Sequence, residues 1–364
     1  MESNSWPVVL AHIAGPTPIT ADQANWIMRE ILSDRSTDAQ IAAFAIGLKI
    51  SGETPEQVAA LAATMLEFAN LVPIPPEMSV VLDIVGTGGD GSHSVNISTM
   101  AAVLAASCGV TVIKHGNRAF SSSTGSADLL EALGLDLDLS AEQVGIVAQG
   151  AGIAFCFAPK HHPAMRFAGP ARTQLGIPTV FNILGPLTNP ALANAALVGC
   201  ANLLLAPVMA NVLAARGVRA LVVRGTDGLD EISLSAPTQV WDATSGVVVE
   251  TILDPADFGI VGFHAEHLRG GTPERNADLT RKVFGGTDPG PDSEVVASIR
   301  SAVALNAAAA LAAAASVEDP AKCSVPLNDR IKENLPLATA ALESGNTWRV
   351  FENWVAVVTQ VKNL

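Results

Sequence analysis

Val80-Val81-Leu82-Asp83-Ile84-Val85, followed by Gly86-Thr87-Gly88-Gly89-Asp90-Gly91, is the stretch on which the fold turns. A short apolar run empties into a glycine-rich loop. An uncharged, Ala-rich segment follows from Ile97 to Cys108. A second β-branched run, Val110 to Ile113, then ends in Lys114-His115-Gly116-Asn117-Arg118. After Ala119-Phe120-Ser121-Ser122-Ser123-Thr124-Gly125-Ser126, a helical pattern runs from Ala127 to Leu133 and stops at Gly134. Short apolar strands alternating with helix patterns predict a parallel β-α-β unit. In open parallel sheets, ligands bind beyond the carboxyl ends of the strands. The two loops are therefore expected to meet at one site, and loops rich in backbone N–H groups beside helix N-termini suit an anion.

Charge points the same way. From Gly91 to Ala127 there is no Asp or Glu, and Lys114 and Arg118 are the only full charges. The chain as a whole carries a formal charge of -14, so a purely basic segment runs against the trend. Phosphate is the ligand class expected. Taken singly, either loop also reads as a tight turn that needs glycine for backbone reasons. Gly86-x-Gly88-x-x-Gly91 matches the dinucleotide fingerprint in letters only. That fingerprint needs an acidic residue about 20 positions on, where this chain is acid-free. No Gly-Lys-Ser/Thr follows, as a Walker loop requires.

The remaining chain fills in the frame. The 364 residues suffice for one large or two modest domains. Hydrophobic residues make up 49% and charged residues 15%, which permits a large buried core. The acidic balance argues against nucleic acid. Four scattered cysteines without a CxxC pair fit reduced thiols in the cytosol. Neither a signal peptide nor a clean membrane span is expected. The uncharged stretch from Thr173 to Ala215 is broken by Pro178, Pro186, Pro190 and Pro207.

Thr20-x-x-Gln23, Thr37-x-x-Gln40 and Thr54-x-x-Gln57 are capping-box patterns, so three helices are expected in the first 75 residues or so. Helices are also expected from Ser140 to Gln149, from about Ala206 to Arg216 and from Ser293 to Ala315, with another capped by Gly270–Glu274 and running to about Phe284; Trp348 to Val361 closes the chain. Ile153–Phe157, Leu197–Gly199, Ala220–Val223 and Val247–Ile252 read as strands. Asp230 and Glu231 stand at the end of one of them. On spacing alone they read as a solvated acidic turn; adjacent carboxylates at a strand end also suit Mg²⁺. His115, His161 and His162 lack a zinc-ligand pattern.

Gly86–Gly91, Asn96-Ile97-Ser98-Thr99, Lys114–Ala119 and Gly125-Ser126-Ala127-Asp128-Leu129-Leu130 together resemble the anthranilate phosphoribosyltransferases. So does Phe181-Asn182-Ile183-Leu184-Gly185-Pro186-Leu187-Thr188-Asn189-Pro190, and the resemblance extends over nearly the whole chain. It implies that Gly86, Gly89, Asp90, Ser94, Asn96, Ile97, Ser98, Thr99, Lys114, His115, Gly116, Asn117, Arg118, Ala119, Phe120, Ser121, Ser122 and Ser126 hold phosphoribosyl pyrophosphate. It implies that Gly86, Asn117 and Arg172 hold anthranilate, and that Ser98, Asp230 and Glu231 hold Mg²⁺. No general acid or base is assigned. The fold expected is α/β: a small all-helical domain, residues 1–76 rejoined by about 172–194, and a large domain, 77–364, with a mainly parallel central sheet flanked by helices. A cytoplasmic homodimer joined through the helical part is implied. Met165-Arg166-Phe167 is less polar than the family pattern. Two other readings share parts of this frame: a pyrimidine nucleoside phosphorylase and a non-catalytic nucleic-acid-binding relative.

Overall fold

The computed structural model describes residues 4–119, 123–285 and 287–363. Seven strands form one sheet: β1 (Leu82–Gly86), β2 (Val112–Gly116), β3 (Ile153–Phe157), β4 (Ala195–Gly199), β5 (Arg219–Gly225), β6 (Thr238–Asp242) and β7 (Val249–Leu253). Their order is β3-β2-β1-β4-β5-β6-β7. β1 to β5 pair in parallel, and β6 runs antiparallel to both its neighbours, β5 and β7. The chain builds outward from β1 to β3, then returns to place β4 on the other side of β1. That reversal opens a crevice between the carboxyl ends of β1 and β4. β6 was not expected, although Thr238-Gln239-Val240-Trp241 has the β-branched and aromatic character of a strand.

All three capping boxes form, at Thr20/Gln23, Thr37/Gln40 and Thr54/Gln57, and open the helices Ala21–Leu32, Asp38–Ser51 and Pro55–Glu67. A fourth helix, Trp6–Ala14, precedes them. Ser5 makes no side-chain cap there, so the signal used for the others is missing. Trp6 anchors it edge-on against Trp26, with ring centroids 5.7 Å apart. Through Pro55–Glu67 these helices pack on the helix Ala206–Ala215, which lies against β5 and β6. They share a core with Ala171, Phe181 and Leu184 from the segment after β3, and with Val198 and Val222 of the sheet itself.

The other face is filled by the 26-residue helix Ser293–Glu318. Its window is apolar and long enough to cross a membrane, yet 78% of it is buried inside the protein. The span-like segment is thus this core helix, and small side chains from Ala307 to Ala310 let the sheet and the Ile97–Ser107 helix approach closely. The helix Leu327–Glu343 was not expected, because Pro336 lies inside it.

That unexpected helix carries a buried ion pair. Arg330, 2% exposed, donates to the Asp242 carboxylate at the end of β6. It also donates to Val325 O at 3.1 Å and to Thr244 Oγ1 at 3.0 Å. Removing one charge would strand the other in the core. Asp242→Asn is expected to cost about 3–5 kcal/mol of stability. A urea midpoint equal to that of the unsubstituted protein would count against it.

Candidate active site

Two glycines at adjacent strand ends admit one acidic turn. A β-carbon at Gly86, the last residue of β1, would lie 2.5 Å from Asp230 Oδ2. A β-carbon at Gly199, the last residue of β4, would overlap the Asp230 carbonyl oxygen. The turn after β5 therefore plugs the crevice at the point where strand order reverses. Asp230 Oδ2 accepts from Gly88 N–H at 2.7 Å, and Glu231 Oε1 accepts from Ser98 N–H at 3.0 Å. Asn306, fully buried on the central helix, holds the next residue by both backbone groups: Ile232 N–H donates to its Oδ1 at 3.0 Å, and its Nδ2 donates to Ile232 O at 3.2 Å.

The turn is buried and overcharged. Asp230 and Glu231 are 8% and 7% exposed. Burial, and then the charge of Asp90 across the turn, push Asp230 up to about 7. Burial, and then Asp230, push Glu231 well above the usual carboxylate range. The negative charges of Asp230 and Asp90 bear on Glu231, and backbone N–H groups bond both Asp230 and Glu231. Their oxygens suit a hard divalent ion. Among the described residues no three His, Cys, Asp or Glu side chains form a metal cage. A small hard ion that takes one or two carboxylates and completes its shell with phosphate and water fits that count.

Lys114 is 2% exposed, close to the acidic turn. Nζ donates to Ile84 O and, at 3.4 Å, to Ser98 Oγ. Burial lowers its pKa, while Asp83, Glu231 and Asp230 draw it back up. Lys114 is thus an internal counter-ion beneath the site. It occupies a gap in the sheet: β1 and β2 pair only at Leu82↔Val112, and the Asp83 carboxylate takes His115 N–H at 3.1 Å in place of a ladder bond.

Arg118 is exposed and held by acidic residues. The acid-free stretch ends just before Asp128, and the following helix, Ser126–Ala132, folds its acids back. Arg118 pairs with Glu131 at 2.5 Å and Asp128 at 3.2 Å, and lies over the Phe157 ring. Asp128 also receives Ala119 N–H at 3.0 Å and Gly125 N–H at 2.8 Å, which shapes the loop. Asn117 Oδ1 accepts Arg118 N–H at 2.7 Å. Gly116 ends β2 where a β-carbon would lie 2.8 Å from the Phe155 ring. Phe120, Ser121 and Ser122 lie outside the described residues.

The first loop turns through Gly89 at φ +80° and is tied by Asp90, which accepts from Ser92 Oγ at 2.6 Å. Ser94 bridges to Arg269, and Asn96 donates to Thr124 O at 2.9 Å. Ile97 and Thr99 are buried, and Ile97 N–H donates to Val95 O at 2.7 Å; Ser98 presents both backbone N–H and hydroxyl beside Glu231.

Arg172 sits on the short helix Gly169–Leu175, half-buried over the Phe181 ring at 5.9 Å. Burial lowers its pKa. The adjoining helix, Phe181–Leu187, touches β2, because His115 Nδ1–H donates to Gly185 O at 2.9 Å. His162 lies beside His115, with ring centroids 5.1 Å apart, and its Nε2–H donates to Thr188 O at 2.8 Å. Burial holds both rings neutral, with pKa values near 3 for His115 and 4 for His162. Among the described residues, His115 Nε2 is buried without a hydrogen-bond partner.

Comparison with known proteins decides the family. Residues 78–348 match the α/β domain of a glycosyl transferase family, and residues 9–69 match that family's helical bundle domain. The chain is 48% identical to the anthranilate phosphoribosyltransferase of Salinispora arenicola, over 100% of this chain and 99% of that one. It is 46% identical to the Rhodococcus jostii enzyme over 98% and 94%. The chain belongs to the anthranilate phosphoribosyltransferase family. The family's structure from Thermus thermophilus superposes with a TM-score of 0.84 at 39% identity, covering 96% of this chain and 99% of that one. The Saccharomyces cerevisiae enzyme, solved in complex with PRPP and Mg, gives 0.82 at 27% identity over 98% of both chains.

Within this family frame, several residues of the site escape a linear reading. Gly199 and Asn306 carry no motif, and their roles exist only because Asp230 and Ile232 arrive from elsewhere. His162 is visible as a histidine, but its pairing with His115 across the fold is not. Arg166 lies over its neighbour Phe167 at 4.5 Å.

Proposed function

We propose that the chain transfers the phosphoribosyl group of phosphoribosyl pyrophosphate to the amine of anthranilate, releasing pyrophosphate, in tryptophan biosynthesis. The observation that carries this reading is the buried, overcharged turn at Asp230 and Glu231. It is wedged between two strand ends and faces a loop and helix start rich in N–H donors. Asp230, Glu231 and the Ser98 hydroxyl would hold Mg²⁺, which would supply charge neutralisation for a pyrophosphate leaving group. Backbone N–H groups of Gly86 to Asp90 and of Asn96 to Thr99, with the hydroxyl of Ser94, line the ribose and pyrophosphate. Gly116, Asn117, Ala119 and Ser126 bound the second side. Arg118 reaches a phosphate by exchanging its partners Glu131 and Asp128. Lys114 balances the charge from below.

Gly86, Asn117 and Arg172 position anthranilate. The reaction needs little acid–base help, because an aromatic amine is neutral at pH 7; placement and leaving-group stabilisation supply the rate. Residues 1–76, with about 172–194, act as the small domain and make the contact of a cytoplasmic homodimer, and 77–364 form the large one.

The direct test is loss of anthranilate fluorescence on adding phosphoribosyl pyrophosphate and Mg²⁺. Unchanged fluorescence, with turnover of thymidine and phosphate instead, would overturn the reading in favour of a nucleoside phosphorylase.

Arg172 offers a finer test. A guanidinium fork matches a carboxylate with two parallel hydrogen bonds, and an ammonium does not. Arg172→Ala and Arg172→Lys are both expected to raise KM for anthranilate at least about ten-fold, the loss of a charge-assisted bond. KM for the phosphoribosyl donor should stay put. Steady-state kinetics varying each substrate in turn decides it; an ordinary anthranilate KM in Arg172→Ala would sink the assignment.

A further inference from the structure

The turn from Leu268 to Asn276 lies behind both phosphate-facing loops, and no motif reading assigns it a role. Its first half pairs with the exit of the first loop: Val95 N–H donates to Leu268 O and Gly270 N–H to His93 O, each at 2.8 Å. Its second half closes a ring of hydrogen bonds. Gly271 N–H donates to Asn276 Oδ1 at 2.8 Å, and Asn276 Nδ2 donates to Asn96 Oδ1 at 3.0 Å. Asn96 Nδ2 donates to Thr124 O at 2.9 Å, and Thr124 Oγ1 returns to Gly271 O at 2.7 Å. The relay begins at a backbone donor and ends at a backbone acceptor, so both amides have only one workable orientation. Asn276 is 2% exposed, and its helix, Pro273–Val283, is already capped by Thr272. Its amide is thus free of local duty.

From this geometry we infer that Asn276 is a positioning residue for the phosphoribosyl donor. It clamps the roots of the two substrate loops together through Asn96 and Thr124 without touching the donor. Between β1 and β2 the backbone ladder pairs only at Leu82↔Val112, and side chains of Asp83 and Lys114 bridge the rest. The relay adds a link beyond the strand ends, at the roots of the loops. Gly270 permits it: a β-carbon there would lie 3.0 Å from Ser94 O and 3.1 Å from both atoms of the Asn276 amide.

The inference rests on the activity proposed above, and its test has an arm that does not. Asn276→Ala removes both links. Asn276→Asp keeps the acceptor for Gly271 N–H but places oxygen against Asn96 Oδ1, so one link must break. Thr124→Val is isosteric and removes the return bond. Both Asn276 variants should raise KM for phosphoribosyl pyrophosphate about ten-fold or more, with KM for anthranilate within about two-fold. Thr124→Val should move the same way by less. Hydrogen exchange on the full chain without substrates should speed up at residues 93–96 and 124–126 while the central helix, 293–318, keeps its protection. Donor KM and exchange both unchanged in Asn276→Asp would overturn the clamp. So would equal losses for both substrates with exchange spread into the central helix, which marks a purely structural role. If the unsubstituted protein consumes no anthranilate, the proposed activity falls and the exchange arm alone judges the clamp.

Discussion

Asp230→Asn combined with Glu231→Gln is expected to lower Mg²⁺-dependent turnover by about a thousand-fold or more, because metal-assisted stabilisation of a leaving group contributes several kcal/mol to a barrier. The fold should survive. Both carboxylates are buried beside each other and beside Asp90, so their charges oppose the folded state. Amides of the same shape keep an oxygen for Gly88 N–H and for Ser98 N–H. The melting temperature should therefore hold or rise while activity disappears. Excess EDTA should do the same to the unsubstituted protein. Turnover that continues in EDTA, or a double variant that is active, would remove Mg²⁺ from the proposal.

Gly199→Ala is expected to cost on the order of a hundred-fold or more in turnover, the scale of a displacement of about 1 Å near the reacting groups. The alanine methyl would collide with the Asp230 carbonyl oxygen, a backbone atom that cannot swing aside as a side chain would. The turn must lift, and Asp230, Glu231 and the Asn306 bonds to Ile232 lift with it. Nothing about Gly199 itself asks for glycine on conformational grounds, since it sits within the regular β4 ladder. The kinetics should show a raised Mg²⁺ requirement together with a lowered kcat. An alanine variant with an ordinary Mg²⁺ titration would show that the crevice tolerates a wider fit.

What could be read along the chain was local chemistry. Capping boxes need only residues three apart, and all three of those named occur. Apolar runs ending in glycine-rich loops marked β1 and β2, and parallel pairing brought their ends together as an alternating strand-helix order requires. The acidic pair after β5 was visible as a pair. The family phrases named the chemistry because their backbone donors, hydroxyls and carboxylates lie in short, contiguous pieces.

What only the tertiary structure decided was direction, depth and partner. Lys114 and Arg118 are the two cations of one acid-free stretch, and sequence treats them alike. The structure buries Lys114 under the acidic turn and hands Arg118 to Glu131 and Asp128. The helix Trp6–Ala14 lacks a side-chain cap and forms by packing Trp6 on Trp26. The helix Leu327–Glu343 overrides an internal proline, stabilised by Arg330 reaching Asp242. Gly199, Asn306 and Asn276 acquire roles from residues 31, 74 and 180 positions away. Propensity and capping act over a few residues, so a sequence displays them. A charge's partner and a glycine's clearance are set by whatever the fold brings within about 4 Å, which no local pattern encodes.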